Sequence, residues 1–173
     1  MLIALAPGPL TAQKFISETS RVTFFSKATI EDIAAVNEKS IALFDAGSGD
    51  IAFSVPVKEF TFEKSLMREH FNEKYMETEK YPKATFQGKV TGYSLSATGP
   101  QPARAAGKLT VHGVTRDVEV AGTLEVKGDR LLLAAKFMVT LEDYKVKRPQ
   151  VLWKNIAEAV EVTVDFTFKP NEK

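Results

Sequence analysis

The residues best able to do chemistry are the two histidines and the acidic side chains near them. His70 and Glu73 stand three positions apart, and on a helix this spacing brings an imidazole beside a carboxylate, as in an acid/base pair or the start of a metal site. The other histidine, His112, stands beside a glycine in TVHGVT. A solvated or locally bonded side chain is the simpler interpretation of both. The sequence therefore predicts neither a catalytic residue nor a metal.

The signatures of common enzymes are absent as well. No lipase-type G-x-S-x-G, P-loop, dinucleotide-binding G-x-G-x-x-G or H-E-x-x-H motif occurs in the sequence. There is no cysteine, which excludes disulfides, thiolate metal ligands and a cysteine nucleophile. DAGSGD, at 45–50, lacks the ordered ligand positions of a calcium loop and indicates a hairpin turn. We therefore expect a protein that is not an enzyme and needs no cofactor.

Basic side chains offer a different chemistry, the binding of an anionic group. Lys147 and Arg148 lie in DYKVKRPQVLWKN, close to Trp153, and could hold a phosphate or carboxylate at the mouth of a pocket; a solvated loop is the alternative. Arg116 lies on the same face of its strand as the valines that are predicted to point inward. It would therefore point inward near the end of the barrel; the alternative is that its side chain turns outward at the rim. With 23 basic and 22 acidic residues, the chain has no electrostatic footprint for nucleic acid.

The elements that would position these residues are mostly strands. Apolar and polar residues alternate with period two, the pattern of strands with one buried face. The clearest runs are RVTFFSKA, KSIALF, DIAFSVPVKEF, ATFQGKVTGY, GKLTVHG, RDVEVAGTLEV and AVEVTVDFTF. LLLAAKFMV, at 131–139, is apolar on both faces, so we expect another segment to cover its outer side. About eight strands joined by tight turns predict an all-β protein, an antiparallel barrel able to enclose one small ligand.

One segment departs from this alternation. Between about residues 63 and 76, Leu66, Met67, Phe71 and Tyr75 share a helical stripe, with charged residues around the rest of the helix. Tyr81-Pro82 then favours extended backbone before the next strand. The pattern predicts one amphipathic helix between two strands, with Phe71 and Tyr75 at the mouth of the barrel.

Two of these segments together carry a family resemblance. HFNEKYMETEKYPKATFQGKV, followed by GKLTVHGVTRDVEV, resembles the YceI-like family of lipid- or polyisoprenoid-binding proteins, and EDYKVKRPQVLWKNIAEAVEVTV resembles its closing segment. The similarity runs from about Phe24 to Phe168. It implies a lipocalin-like barrel with a helix by its opening and an elongated apolar cavity for an amphiphilic lipid. Members of the family are often periplasmic or secreted, and the resemblance supplies no catalytic residues.

The alternation of residues along each strand and the apolar face of the helix then predict which side chains line that cavity. They are Phe53, Val55, Val57, Leu66, Phe71, Tyr75, Phe86, Val90, Leu109, Val111, Val118, Val120, Leu133, Phe137, Val139, Trp153, Val162, Val164 and Phe166. Arg116, Lys147 and Arg148 are the candidates for contacts with a head group.

Three functions remain open at this point. The first is binding, sequestration or transport of a polyisoprenoid or long-chain fatty derivative. The second is a structural or stress-related barrel whose interior is filled by its own aromatic side chains, among them 12 phenylalanines. The third is an enzyme that acts on an amphiphile with His70 and Glu73. We rank them in this order because a long apolar chain needs no catalytic machinery to be held.

The N-terminal residues bear on localisation. Residues 1–12, MLIALAPGPLTA, are apolar up to Leu10 and end in small residues, so they resemble the end of a truncated signal peptide; a frayed N-terminal arm is the alternative. Residues 13–173 are then one domain, and a periplasmic or secreted bacterial protein is expected. No stretch is long and apolar enough for a transmembrane helix. The oligomeric state is left open, with a homodimer as one alternative.

Overall fold

The computed structural model of the chain describes residues 13–27, 31–148 and 157–172. The predicted signal peptide and Trp153 therefore lie outside the described residues. The strands are β1 (Lys14–Ser26), β2 (Ile33–Asn37), β3 (Ile41–Asp45), β4 (Asp50–Pro56), β5 (Thr61–Phe62), β6 (Lys83–Thr91), β7 (Gln101–Val111), β8 (Val114–Lys127), β9 (Arg130–Thr140) and β10 (Ala159–Pro170). One α-helix, α1 (Ser65–His70), lies between β5 and β6.

Eight of these strands close into an antiparallel barrel, which confirms the predicted fold. The neighbours run in the order β1, β3, β4, β6, β7, β8, β9, β10, and β10 pairs with β1 to complete the circle. The two short strands lie alongside: β2 pairs with Val22–Ser26 at the end of β1, and β5 pairs with β2. Consecutive barrel strands are mostly neighbours, as expected for strands joined by tight turns.

Large side chains fill one end of the barrel. Phe15, Phe44, Leu124, Leu131 and Phe168 are at most 2% exposed, and they come from the beginning of β1 and β9 and the end of β3, β8 and β10. Each is at an inward position of its strand, so the period-two alternation of the sequence is what brings them together. This end is a packed core, and any cavity must lie nearer the other end.

The predicted turn between β7 and β8 is a tight hairpin. His112 and Gly113 both have positive φ, 52° and 72°, between the paired residues Val111 and Val114; two such residues make the turn that suits the twist of a hairpin.

The outer side of β9 is less covered than the sequence predicts. Leu132 and Ala134 are half-buried, but Met138 is 60% exposed, so the predicted cover is wrong at that position.

The helix is shorter and less regular than the predicted 63–76. After α1, the backbone continues as a π-helical turn over Phe71–Tyr75. Met67 and Tyr75 are buried and Phe71 is partly buried, but Leu66 is 60% exposed, so its predicted place in the stripe is wrong. No helix in the described ranges has the length and apolar character needed to cross a membrane.

The geometry of the helix explains why Leu66 is excluded. Residues spaced four apart drift by about 40° per step around an α-helix, and the wider π-helical turn reduces this drift. Met67, Phe71 and Tyr75 can therefore all face the barrel. Leu66 is rotated by about 100° from Met67, which turns it to solvent.

Candidate functional site: an apolar cavity in the barrel

The interior contains a cavity of about 120 Å³, here called the main cavity. Every residue that lines it is apolar: Val22, Phe24, Phe53, Val55, Val57, Phe60, Phe71, Met76, Ala84, Leu109, Val111, Phe137, Val139, Val162 and Val164. They come from six barrel strands, from the turn after β4 and from the helical segment. A polar molecule would lose its hydrogen bonds to water on entering this cavity and gain none in return.

A second, smaller chamber of about 60 Å³ lies next to the main cavity, beneath the helix. Its walls include Ile33, Phe62, Met67, Tyr75 and Val160.

Three residues, Phe24, Phe71 and Met76, line both spaces, and we call them the partition. The rings of Phe24 and Phe71 are stacked, with centroids 5.2 Å apart. Phe60 and Phe62 pack against the same two rings at 5.0 to 5.8 Å. One layer of side chains thus separates the two apolar spaces.

The π-helical turn places Phe71 in the partition. The Met76 N–H donates to the Phe71 carbonyl oxygen at 2.8 Å, the i→i+5 bond of a π-helix. The Thr78 N–H donates to the carbonyl oxygen of Asn72 at 2.9 Å, and this bond turns the chain away from the helix. Phe71 is therefore set by a short, irregular segment, not by a rigid strand of the barrel wall.

Most of the predicted lining residues lie together around these spaces. Those in the main cavity are Phe53, Val55, Val57, Phe71, Leu109, Val111, Phe137, Val139, Val162 and Val164, and Tyr75 lines the second chamber. Others line neither chamber: Phe86, Val90, Leu133 and Phe166 are buried core residues, and Val118 and Val120 are half-buried. That any of them contacts a ligand remains a prediction.

Five residues of the main cavity were not predicted from the sequence: Val22, Phe24, Phe60, Met76 and Ala84. Val22 and Phe24 alternate within RVTFFSKA as the assigned residues do in their strands, so parity could have found them. Phe60 follows a short 3-10 turn, Val57–Glu59, and Met76 ends the π-helical turn. Neither position has a periodic signal.

The three basic candidates lie on the surface. The Arg116 side chain is 52% exposed, with its Nη1 3.9 Å from Oδ1 of Asp143, so the rim position is the one observed. Lys147 is exposed, and the Nη2 of Arg148 lies 3.9 Å from Oε1 of Glu158. None of the three lines either chamber, and contact with a head group stays a prediction.

The solvated interpretation of His112 is wrong. This residue is 9% exposed, with Nε2 2.6 Å from Oε2 of Glu77 and Nδ1 3.1 Å from the carbonyl oxygen of Tyr144. Its ring also packs 4.6 Å from that of Tyr81. Since both ring nitrogens already face oxygen atoms, the arrangement favours a structural role. The described residues contain no group of three or more histidine and acidic side chains that could hold a metal ion.

Burial affects the tyrosines around the site. Desolvation raises the pKa of Tyr75 well above its usual value near 10, because the phenolate would lose its water. Burial also raises the pKa of Tyr93, whose hydroxyl donates to the Ala46 carbonyl oxygen at 2.9 Å, and that of Tyr144. These phenols are therefore uncharged at neutral pH.

Solved structures with this fold are known from several bacteria. A polyisoprenoid binding domain from Saccharophagus degradans, implicated in plant cell wall breakdown, has a TM-score of 0.78 at 14% identity, over 91% of this chain and 98% of its own. BcnA from Burkholderia cenocepacia has a TM-score of 0.74 at 20% identity, over 86% and 95%. The YceI protein of Campylobacter jejuni has a TM-score of 0.60 at 13% identity, over 100% and 94%.

The sequence itself also identifies the family. No curated protein matches the chain, but the model of the YceI-like domain matches residues 14–168. That range includes every barrel strand apart from the last two residues of β10. The chain therefore belongs to the YceI-like family.

Proposed function

We propose that the barrel binds the apolar chain of an amphiphilic lipid, a polyisoprenoid or a long-chain fatty derivative, and so sequesters or carries it. The observation that carries this proposal is the exclusively apolar lining of the main cavity. The polyisoprenoid binding domain from Saccharophagus degradans, which has the same fold, supports it. Each buried methylene would contribute about 0.8 kcal/mol before the cost of association.

The size of the cavity indicates how a chain would fit. At about 120 Å³, it is comparable to engineered apolar cavities of about 150 Å³ that bind a single benzene. The main cavity alone would hold only a few carbons of a chain. A longer chain needs the second chamber too, and displacement of the Phe71 ring from the partition would join the two.

The proposal is tested by looking for a bound lipid and by filling the cavity. Native mass spectrometry of gently purified protein should show a co-purified lipid. The lipid-free protein should bind a dansyl-labelled fatty acid, with farnesol as a competitor.

Ala84→Leu adds three carbons to the lining, and we expect it to weaken this binding by about tenfold or more. Ala106→Leu, on the outward side of β7, should bind as the unchanged protein does. Protein that carries no lipid and binds neither probe would contradict the proposal.

The self-filled barrel is the second candidate, and one observation favours it. The four rings of Phe24, Phe60, Phe62 and Phe71 already occupy much of the space between the chambers. In that case, Ala84→Leu should lower the free energy of unfolding by about 1–3 kcal/mol because it overpacks the interior, and the unchanged protein should bind neither probe.

A further inference from the structure

The ladder between β8 and β9 covers only part of these two strands. It runs from Lys127 paired with Arg130 to Gly122 paired with Ala135, although β8 begins at Val114 and β9 continues to Thr140. Val114–Ala121 keep their pairing with β7, and Lys136–Thr140 keep theirs with β10. Both stretches lie within the described part of the chain, and they are not paired with each other. The hydrogen bonding of the barrel wall is therefore interrupted between them. We call this separation the seam.

Side chains beside the seam face inward and are still partly exposed. Val118 pairs with Gly107 and Val120 with Ala105, on the same side of the sheet as the buried Leu109 and Leu124. The inward residues with partial exposure near the seam are Ala105, Gly107, Val118, Val120, Ala135 and Phe137. At a matching inward position of the intact wall, Val90 is only 3% exposed. The inward side chains beside the seam are therefore less covered than Val90.

The seam adjoins the main cavity. Phe137 and Val139, on the part of β9 that is not paired with β8, line that cavity, and so do Leu109 and Val111 of β7. No residue of β8, the strand between them in the sheet, lines the cavity. Because the inward residues of this part of the wall are mostly alanine, glycine and valine, a slender chain meets little steric obstruction there.

Within the described residues, two contacts cross the outer end of the seam. The Nδ1 of His112, before β8, lies 3.1 Å from the carbonyl oxygen of Tyr144, after β9, and the second contact is a weak ion pair. Arg116 of β8 and Asp143, in the 3-10 turn after β9, approach to 3.9 Å, and both side chains are about half exposed. Ion pairs of this kind contribute little to stability in water. Both contacts lie at this end of the seam, beyond Val120 and Phe137.

We propose that the seam is the entrance through which the apolar chain of the lipid passes, between Val120 and Phe137, into the main cavity. This rests on the proposed lipid binding. It assigns Val118 and Val120 to the entrance, where they would contact the part of the bound chain nearest the head group, and not to the wall of the main cavity.

Single cysteines test whether the seam is open. Since the chain has no cysteine, each variant carries one thiol, and its reaction with a water-soluble maleimide reports exposure. In lipid-free protein, Val120→Cys should react within about tenfold of Glu119→Cys, which points outward from the same strand. Val90→Cys, inward in the intact wall, should react about a hundredfold more slowly. A Val120→Cys thiol as slow as that of Val90→Cys would mean a closed seam and would overturn the proposal.

A second measurement tests the passage of the lipid itself. Saturation with a dansyl-labelled fatty acid should slow the labelling of Val120→Cys by about tenfold and leave Glu119→Cys unchanged. Bound fatty acid, seen by its fluorescence, without protection of Val120→Cys would show that the chain takes another route. Absence of any bound fatty acid would overturn the proposed function and the entrance with it, while the contrast between Val120→Cys and Val90→Cys would still show whether the seam is open.

Discussion

The Nε2 atom of His112 lies 2.6 Å from Oε2 of Glu77, across a sequence separation of 35 residues. His112 is in the β7–β8 turn and Glu77 directly follows the helical segment, while the Nδ1 of His112 faces the Tyr144 carbonyl oxygen after β9. Both residues have positive φ, 52° and 47°, a conformation that costs about 1 kcal/mol or more for residues other than glycine. The contact holds three segments together beside the helix.

Loss of this contact should destabilise the fold. We expect Glu77→Ala to lower the free energy of unfolding by about 1–3 kcal/mol, because it leaves a buried imidazole nitrogen without its partner. Urea unfolding followed by circular dichroism measures this. The matched control is Glu79→Ala, which removes an exposed ion pair with Lys58 and should cost at most about 0.5 kcal/mol. Equal effects of the two variants would contradict a structural role for the contact.

The turn beside His112 gives a second prediction. A Cβ atom added at Gly113 would lie 2.5 Å from Cε1 of Tyr81, whereas one added at Gly128 would meet nothing within 4 Å. Both glycines have positive φ, so each alanine variant carries a similar backbone cost of about 1 kcal/mol. Gly113→Ala should lose about 1 kcal/mol more than Gly128→Ala in thermal or urea unfolding. A difference near zero would show that the Tyr81 ring moves away freely.

The partition gives a third prediction, on both stability and binding. Phe71→Ala should join the main cavity to the second chamber and lower the free energy of unfolding by about 2–4 kcal/mol. It should also bind a dansyl-labelled fatty acid more tightly, because the ring no longer has to move. Leu66→Ala, on the exposed side of α1, should change stability by no more than about 0.5 kcal/mol and leave the affinity unchanged. Weaker binding by Phe71→Ala would indicate that Phe71 is a contact and not a barrier.

The buried tyrosines predict how stability depends on pH. Burial raises the pKa of Tyr75, Tyr93 and Tyr144 above the value near 10 of the unfolded chain. The stabilisation is therefore complete below pH 10 and is lost as the pH rises further, by up to about 1.4 kcal/mol per pH unit for each tyrosine. The urea midpoint should be level between about pH 8 and 9 and fall above about pH 10. Tyr75→Phe should show a shallower fall, and an unchanged slope would exclude Tyr75 as a contributor.

The elements that are most predictable from the sequence are those in which the structure repeats. Alternating residues such as Val162 and Val164 have the same environment along a strand, so their parity predicts the closed barrel and most of the cavity wall. The apolar face of the helix was harder to predict. A stripe drawn with 3.6 residues per turn includes Leu66, but the π-helical turn leaves Met67, Phe71 and Tyr75 on the barrel side and Leu66 in solvent. The Glu77–His112 contact had no local signal, since it joins segments 35 residues apart.

The seam could not be predicted for a related reason. RDVEVAGTLEV alternates evenly through Val118, Val120, Leu124 and Val126, and nothing in that pattern marks where pairing with β9 stops. Side-chain parity reports which face of a strand is buried and gives no information on which backbone groups find a partner. The number of barrel strands is therefore readable from the sequence, while the gap between two of them is not.

The pairing of β1 with β10 has a consequence for how the protein acquires its structure. Val22 pairs with Val164 and Phe15 with Pro170, so the first strand cannot complete its hydrogen bonds until the last has been synthesised. Contacts between such distant parts of a chain make folding slow. Until they form, both edges of the sheet remain open to pairing with other chains. We therefore expect slow refolding, and aggregation in competition with it at high protein concentration.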